Sequence, residues 1–366
     1  MQPGSGFFRP ESRPSRDLGV LLACSLAARG PLRVLDVMAG CGIRALRYAL
    51  EAGAEAVWAN DADPDRLPLL QRHLAGVSGV RCTARTAQHL LADCLQRQER
   101  FDLVDLDGFG CPTALLPLAL EAVAFDGVLY LASTDGRSPT GHDRPAAIRL
   151  LGAAARAHPA SWELALRLQL GSVARVAWAL GRGVVPLVSF SEGRTFRTAV
   201  RLQRRASPRQ EEQLGMLAHC HGCGHQQVQP LINLRQWQAC CCPPGAAPPL
   251  AISGPLWIGP LQDSALLSEL AAQPVDASLS LEGARLLARL AADPGLPACC
   301  WPTAEIARRL GGGPPPLAAL MAALRAEGWI GLASGVMPGQ FRSDAPWAEI
   351  LQIARRLGAM ASGAAR

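Results

Sequence analysis

Strand and helix patterns alternate along roughly the first 200 residues, and this alternation limits the possible folds more than any other feature. Apolar runs of strand length occupy residues 32–38, 56–60, 101–106 and 128–133. A helical pattern over residues 44–53 separates the first two runs. Strands that alternate with helices are typical of an α/β fold, in which helices cover both faces of a parallel sheet. We therefore predict such a sheet for the first half of the chain.

The second half of the chain has a different organisation. A helical pattern at 162–179 and a predicted hairpin at 184–189 and 195–202 complete the first half, and the polar segment 204–212 resembles a linker. At roughly 150 residues per domain, 366 residues predict two domains. We place them at residues 1–206 and 207–366.

Composition limits the protein classes that need to be considered. No apolar stretch reaches the ~20 residues that span a bilayer, and residues 1–8 lack the pattern of a signal peptide. We therefore expect a cytoplasmic protein without a membrane partner, and a monomer. The chain has no lysine, so all 36 basic residues are arginine, and the net charge is +6. Arginine pairs well with phosphate, so this charge mildly favours nucleic acid as a partner.

The first strand ends in a glycine turn that is typical of a ligand site. Asp36 is followed by Gly40 and Gly42, and glycines allow the backbone and a helix N-terminus to approach a ligand. Asp61 ends the second strand about 20 residues later, where an acid can accept both ribose hydroxyls of an adenosine. The full dinucleotide-binding spacing is absent. The pattern instead resembles the first motif of S-adenosylmethionine-dependent methyltransferases, which have a Rossmann-like sheet.

The segment Phe101-Asp-Leu-Val-Asp-Leu-Asp-Gly-Phe-Gly110 carries the most chemical information. The carboxyl end of this strand faces the ligand crevice in an open α/β sheet, and Asp105 and Asp107 lie there. A carboxylate that accepts the N–H bonds of an exocyclic amine localises electron density on its nitrogen, and an aromatic ring such as Phe109 can stack on a flipped base. The segment resembles the signature of amino-methyltransferases, and Asp105 and Asp107 are the competing candidates for the catalytic carboxylate.

A cluster of cysteines lies in the second half, between Cys220 and Cys242. Cys220 and Cys223 form a Cys-x-x-Cys turn, and three further cysteines follow at 240–242. This spacing predicts a structural Zn²⁺ site in a zinc-knuckle insertion. Cys240 and Cys242 are the favoured second pair of ligands, and His221 or His225 could substitute for one of them. A redox pair or free thiols are the alternative to a metal site.

Helical patterns at 281–291, 303–310 and 317–327, followed by a short strand at 329–333, predict winged-helix-like helices in a C-terminal α+β domain. Arg308, Arg309 and Arg325 lie in this region and are candidate contacts for RNA phosphates, although solvated arginines are the more frequent case.

Taken together, these motifs resemble one family, the tRNA (guanine-N2-)-dimethyltransferases. Phe7-Phe8-Arg9-Pro10 and Ser15-Arg16-Asp17 are similar to the motifs that precede its first strand. Asp105 to Gly110 looks like its catalytic segment, and Thr134-Asp135 looks like the pair after its fifth strand. Later segments, Gly254 to Asp263 and Ser343 to Pro346, extend the resemblance through most of the chain.

The resemblance implies methylation of the N2 amine of guanosine 26 in tRNA, once and then a second time, with S-adenosyl-L-methionine as the methyl donor. It implies that Arg16 contacts the cofactor carboxylate and that Phe7 and Phe109 sandwich the guanine. It also implies Asp107 as the catalytic carboxylate, which orients and deprotonates the amine. The residues predicted to bind the cofactor are Arg16, Asp36, Gly40, Gly42, Asp61, Thr86 and Asp105. The C-terminal domain is expected to hold the tRNA body through its shape and phosphates.

The sequence departs from the family pattern at several positions. Arg9 and Ser15 replace two asparagines, and Gly108 replaces a proline, which is expected to loosen the turn that holds Asp107. Thr86-Ala87 occupies the place of the usual Asp-Ala after the third strand, so the acid expected near the adenine is missing. We expect these departures to affect the catalytic efficiency more than the type of reaction.

Two other functions fit parts of the sequence. A DNA adenine-N6 methyltransferase uses the same carboxylate, turn and aromatic ring, and the preferred substrate distinguishes it. A non-catalytic nucleic-acid-binding protein would use only the C-terminal module, and it would not bind S-adenosylmethionine.

Overall fold

A computed structural model of the chain describes residues 8–243, 245, 248–272 and 279–364. The chain forms two compact units, each assembled from separated segments. The first comprises Met1–Asp135, Val173–Ser207 and Asp263–Ala291, and the second comprises Gly136–Ser172, Pro208–Gln262 and Ala292–Arg366. The boundary that we predict at residue 206 divides the chain into two continuous halves, whereas each unit of the structure contains segments from both halves.

The first unit contains a seven-stranded sheet, as the alternation of strands and helices predicts. Its strands are β1 Arg33–Asp36, β2 Ala56–Asp61, β3 Val80–Ala84, β4 Phe101–Asp107, β5 Val123–Ser133, β6 Gly183–Glu192 and β7 Thr195–Gln203. Their order is β3-β2-β1-β4-β5-β7-β6, and β7 runs antiparallel to its neighbours β5 and β6. The parallel core and the closing hairpin are therefore confirmed. The strand order reverses between β1 and β4, which is where open α/β sheets bind ligands.

Two three-stranded antiparallel sheets belong to the second unit. Their strands are β8 Leu214–His219, β9 Gln226–Pro230, β10 Ala251–Trp257, β11 Cys300–Pro302, β12 Leu332–Ala333 and β13 Gln340–Arg342. The orders are β10-β8-β9 and β11-β13-β12.

Twelve α-helices accompany the strands in the described part of the chain. They are α1 Arg13–Ala27, α2 Ile43–Leu50, α3 Leu67–His73, α4 Ala87–Gln96, α5 Leu116–Ala122, α6 Arg144–Leu151, α7 Ser161–Ala179, α8 Ser264–Ala272, α9 Leu281–Ala291, α10 Thr303–Leu310, α11 Leu317–Ala326 and α12 Trp347–Ala364. Among the described residues, no helix combines the length and the apolar character that crossing a bilayer requires.

Helix α9 corrects the predicted winged-helix-like group. Its apolar side chains Leu286, Leu287 and Leu290 are buried in the same core as β1 and α1, so it belongs to the first unit. Asp17 on α1 reinforces this packing, because its carboxylate accepts the backbone N–H of Ser280 at 3.0 Å, just before α9. The C-terminal group therefore begins at β11 and runs β–α–α–β–β–α, without the first of the three predicted helices.

The second unit is held together by an ion network that is inaccessible to solvent. The Arg342 guanidinium donates to both oxygens of Asp293, at 2.8 and 3.0 Å, and to Glu163 on α7. Arg167 also pairs with Glu163, at 2.8 Å. Charges removed from water in this way stabilise a fold only while each keeps its partner.

We expect Arg342→Met to lower the free energy of unfolding by about 3–5 kcal/mol, because it leaves the buried Asp293 carboxylate without a cation among the described residues. Urea denaturation followed by circular dichroism measures this change. The matched control is Arg356→Met, which removes an exposed pair with Glu327 and should change stability little. Equal losses in the two variants would contradict a stabilising role for the buried network.

Candidate functional site

A cavity of about 370 Å³ lies at the carboxyl ends of β1, β2 and β4 in the first unit. Its volume is within the usual range of small-molecule sites. The wall is formed by Phe8, Arg9, Ser12, Arg16, Met38, Ala39, Gly40, Cys41, Ile43, Arg44, Asp61, Ala62, Asp63, Arg66, Asp107, Gly108, Phe109, Thr134, Thr195 and Arg197. Five of the residues predicted for the site, Arg16, Gly40, Asp61, Asp107 and Phe109, are therefore brought together here.

The glycine turn and Asp61 form one side of this cavity. Gly40 has a φ of +55°, a conformation that favours glycine, and its backbone N–H donates to Asp61 Oδ2 at 2.9 Å. The other carboxylate oxygen accepts the N–H of Asp63 at 3.0 Å. A carboxylate has about four acceptor positions, so two backbone bonds leave capacity for two hydroxyl groups. This geometry fits the ribose role predicted for Asp61.

Arg16 and Phe8 form the N-terminal part of the wall. The Arg16 guanidinium lies 4.8 Å from the centre of the Phe8 ring and donates to the backbone oxygens of Arg9 and Pro10, at 3.0 and 3.3 Å. Burial, together with the nearby Arg44 and Arg47, lowers the pKa of Arg16 to about 10, so it remains a cation at neutral pH. Phe7, the predicted second ring of the sandwich, lies outside the described residues.

Asp107 ends β4 and also lines the cavity, and two arginines hold it. Arg44 Nη2 and Arg197 Nη2 both contact its Oδ2, at 2.8 and 3.0 Å. No described residue donates a hydrogen bond to Oδ1. Burial alone would raise the pKa of Asp107, but the two guanidinium groups outweigh it and hold the pKa below its usual value. Asp107 is thus an anion with one oxygen available.

The turn after Asp107 is tied to the end of β5. The Gly110 N–H donates to Thr134 Oγ1 at 2.7 Å, and the Thr134 N–H donates to the Gly110 oxygen at 3.0 Å. Gly108 packs against Met38, since a Cβ at this position would lie 2.4 Å from the Met38 sulfur. These contacts hold the turn that the missing proline was expected to loosen. Phe109 is 83% exposed at the cavity wall.

Four residues predicted to bind the cofactor do not line the cavity, and direct contact is not supported for them. Asp36 and Asp105 lie beneath it, fully buried, and burial raises the pKa of both. Asp105 accepts the hydroxyl of Tyr48 at 2.6 Å and contacts Arg44 at 3.4 Å. Gly42 shapes the turn, with a φ of +80°, and Thr86 accepts the N–H of His89 at the start of α4.

Sequence reasoning missed Arg44 and Arg197, the two cations that hold Asp107. Arg44 lies in the first turn of α2, directly after the glycine turn, and Arg197 lies on β7. Their side chains are only 9% and 5% exposed. One signal in the sequence points to Arg197: it is a charged residue within the alternating apolar pattern of an internal strand. Charged residues are rarely buried without a partner, so one was to be expected for Arg197.

The second unit brings Cys220, Cys223, Cys240 and Cys242 together, with all four sulfur atoms within 4.8 Å of one another. Cys220 Sγ lies 3.5 Å from Cys240 Sγ and 3.7 Å from Cys242 Sγ. Zn–S bonds of about 2.3 Å in a tetrahedron place sulfurs about 3.8 Å apart, so the cluster fits zinc in donor type and spacing. Cys241, the remaining candidate, is exposed outside the cluster.

Arg308 and Arg309, candidate phosphate contacts, both pair with Glu305 on their own helix. Arg309 also donates to the backbone oxygens of Gly222 and of His221, the latter at 3.1 Å, within the cysteine turn. Its side chain is 16% exposed, so Arg309 supports the cysteine turn rather than presenting a free charge.

The comparison with known proteins agrees with this site. Residues 2–355 match the family described as N2,N2-dimethylguanosine tRNA methyltransferase. A tRNA (guanine(26)-N(2))-dimethyltransferase from Methanosphaerula palustris is 32% identical, over 93% of this chain and 89% of that protein. Its counterpart from Thermococcus kodakarensis is 28% identical, over 96% and 93%.

A solved structure of Trm1 from Pyrococcus horikoshii in complex with S-adenosyl-L-methionine superimposes with a TM-score of 0.83. It is 25% identical, and the match covers 95% of this chain and 94% of that one. The resemblance seen in the sequence motifs is thereby confirmed, as is the α/β methyltransferase fold. The chain belongs to the N2,N2-dimethylguanosine tRNA methyltransferase family.

Proposed function

We propose that this chain transfers a methyl group from S-adenosyl-L-methionine to the N2 amine of guanosine 26 in tRNA, and then a second one. The observation that carries the proposal is the free Oδ1 of an ionised Asp107, held beside the exposed Phe109 in the same cavity as Asp61. The names of the relatives supply the nucleotide and its position.

The cavity offers groups that suit each end of the cofactor. Asp61 would hold the ribose hydroxyls, and the Gly40 turn lets the backbone approach closely. Arg16 would pair with the cofactor carboxylate, because its cation faces the cavity. The cofactor, when bound, supplies an electrophilic methyl group on sulfur. The residues of this chain would have to bind and orient the guanine amine and accept its proton.

The amine is the difficult partner, because its lone pair is delocalised into the guanine ring. Asp107 Oδ1 would accept one N–H bond, which orients the lone pair and stabilises the positive charge that develops on nitrogen. The lowered pKa of Asp107 makes it a weak base. Orientation is therefore its first role, and Oδ1 of Asp107 would take the proton only once methylation has made the nitrogen strongly acidic. A single free oxygen serves both rounds, since each transfer needs one N–H to be held.

The base must leave its helix to reach Asp107. Flipped bases are commonly read by stacking on aromatic side chains, and Phe109 would stack on one face of the guanine. Phe7 remains the predicted ring for the other face. The second unit would hold the tRNA body, with Arg325 as the remaining candidate among the three predicted phosphate contacts. The cytoplasmic location and the monomeric state stay predictions.

Methyl-labelled S-adenosylmethionine, offered with bulk tRNA or with duplex DNA, tests the proposal. Label should enter tRNA alone, as N2-methylated guanosine at position 26 when the product is mapped by nuclease digestion and mass spectrometry. Label in the adenines of DNA would instead support the alternative function, a DNA adenine-N6 methyltransferase. Failure to bind S-adenosylmethionine in calorimetry would instead favour a non-catalytic nucleic-acid-binding protein.

We also propose that the four-cysteine cluster holds one structural Zn²⁺. All four positions of a tetrahedron would be filled by thiolates, so no position remains for a substrate. The metal would join the β8–β9 turn at Cys220 and Cys223 to the segment that precedes β10.

We predict that Asp61→Ala weakens cofactor binding by on the order of tenfold to a hundredfold, because hydrogen bonds to a charged acceptor contribute about 1.5–3 kcal/mol. Isothermal titration calorimetry with S-adenosylmethionine gives the dissociation constant. Asp65→Ala is the matched control, because it removes the same charge from an exposed position outside the cavity. An unchanged dissociation constant in Asp61→Ala would overturn the ribose assignment.

Asp107→Asn should reduce the single-turnover rate of methyl transfer to tRNA by on the order of 10²–10⁴, because it removes the anionic acceptor while it keeps the size of the side chain. Cofactor affinity should change little. Asp105→Asn is the comparison, since Asp105 is the competing carboxylate but is buried beneath the cavity. Survival of Asp107→Asn together with a collapse of Asp105→Asn would show that the wrong carboxylate has been assigned.

One equivalent of zinc should be found by elemental analysis of protein purified without chelator. Cys220→Ser combined with Cys223→Ser should remove the metal and lower the melting temperature, while Cys241→Ser should do neither, because Cys241 lies outside the cluster. A metal-free native protein of full stability would refute the zinc proposal.

A further inference from the structure

We propose that Arg197 is a positioning residue, which fixes the carboxylate of Asp107 so that Oδ1 faces the substrate amine. The inference deepens the proposed function and rests on it, since it concerns the same carboxylate. The sequence around Arg197, Thr195-Phe-Arg-Thr, has no motif that marks this arginine as functional.

The register of three strands places Arg197 next to Asp107. Asp107 on β4 pairs with Ala132 on β5, and Ala132 pairs in turn with Arg197 on β7. Residues paired in this way project from the same face of a sheet. The intervening side chain is only a methyl group, so the arginine can extend across β5 to the carboxylate. A long side chain at position 132 would block this route.

The plane of the Arg197 guanidinium is fixed from two sides. Nη2 contacts Asp107 Oδ2 at 3.0 Å, and Nε donates to Glu192 Oε2 at 3.2 Å. The other oxygen of Glu192 accepts the backbone N–H of Ser15, in the first turn of α1, at 3.0 Å. Ser15 directly precedes Arg16 of the cavity wall. Arg197 and Glu192 therefore connect Asp107 to the first turn of α1.

Both arginines bind the same oxygen of Asp107, which is what selects the other oxygen for the substrate. Arg44 contributes the second contact to Oδ2, at 2.8 Å, but it also neutralises the buried Asp105. Removing Arg44 would leave that acid without its cation and would endanger the fold. Arg197 has partners that are more accessible, since the side chains of Asp107 and Glu192 are 22% and 15% exposed. The positioning of the Asp107 carboxylate can therefore be tested by substituting Arg197.

Arg197 also helps to keep Asp107 ionised. The groups that face Asp107 are Arg44 from α2, Arg197 from β7, Asp105 from its own strand and Asp36 from β1. Burial raises the pKa of Asp107, and the two cations outweigh this effect and lower the pKa. Asp107 in turn raises the pKa of Asp105 and of Asp36. Loss of Arg197 removes one cation, so the pKa must rise. The active carboxylate form is then lost at a higher pH as the solution is acidified.

The experiment compares wild type, Arg197→Met and Arg197→Lys by single-turnover methyl transfer to tRNA between pH 4.5 and 9. Arg201→Met is the control, because Arg201 lies on the same face of β7 but outside the cavity. Thermal melting checks the fold of each variant. In parallel, ¹³C NMR of protein labelled at aspartate carboxyl carbons follows the titration of Asp107, with Asp107→Asn to assign its signal.

At pH 8, we expect Arg197→Met to transfer methyl groups on the order of tenfold to a hundredfold more slowly, the effect of losing one hydrogen bond between charged groups. KM for tRNA and for cofactor should change less than the rate. The acid limb of the rate profile and the Asp107 titration should both move to higher pH. Arg197→Lys restores the charge but cannot bridge Asp107 and Glu192, so it should recover the acid limb and only part of the rate.

Wild-type rates and an unmoved Asp107 titration in Arg197→Met would overturn the inference. So would a loss confined to KM with an unchanged acid limb, because that is the result of a purely structural or binding role. Should wild type transfer no methyl group to tRNA, the proposed function fails. In that case the NMR titration still decides whether Arg197 controls Asp107.

Discussion

The contact of two buried guanidinium groups with one oxygen of Asp107 is the interaction on which the rest of the site depends. It places an anion at the end of a central strand, keeps it ionised despite burial and leaves its other oxygen without a hydrogen-bond donor among the described residues. The partners come from α2 and β7, while Asp107 itself comes from β4. Such a carboxylate suits a substrate nitrogen that is not basic, because it stabilises a developing positive charge without having to remove a proton first.

The order of the strands explains why the site lies where it does. The reversal between β1 and β4 opens a crevice at the carboxyl ends of the strands, and the glycine turn and Asp61 occupy one side of it. The antiparallel strand β7 begins at that edge, so Arg197, its third residue, lies beside the carboxyl end of β5. The hairpin at the end of the sheet thus does more than cover an edge, because it supplies Arg197 and Glu192 to the carboxyl ends of the parallel strands.

Local patterns in the sequence were sufficient for the features that depend on short spacings. Apolar runs predicted the strands, the glycine turn predicted the crevice, and the Cys-x-x-Cys spacing predicted the cluster to which Cys240 and Cys242 contribute. The features that were missed depend on three-dimensional neighbours. Period two gives Asp105 and Asp107 the same face, but only the depth of the strand end shows that Asp105 is buried. Similarly, the pairing of Arg197 with Asp107 could be predicted only from the register of β4, β5 and β7. The unit to which α9 belongs could not be predicted either, because its helical spacing is the same whichever unit it packs into.

The most direct test of the account is a structure of this protein with tRNA and a non-reactive cofactor analogue such as S-adenosylhomocysteine. We predict that the N2 atom of guanosine 26 lies within hydrogen-bonding distance of Asp107 Oδ1, about 2.6–3.2 Å, while Arg44 and Arg197 remain on Oδ2. A guanosine whose N2 atom points away from Asp107, or an Asp107 released from both arginines, would contradict it.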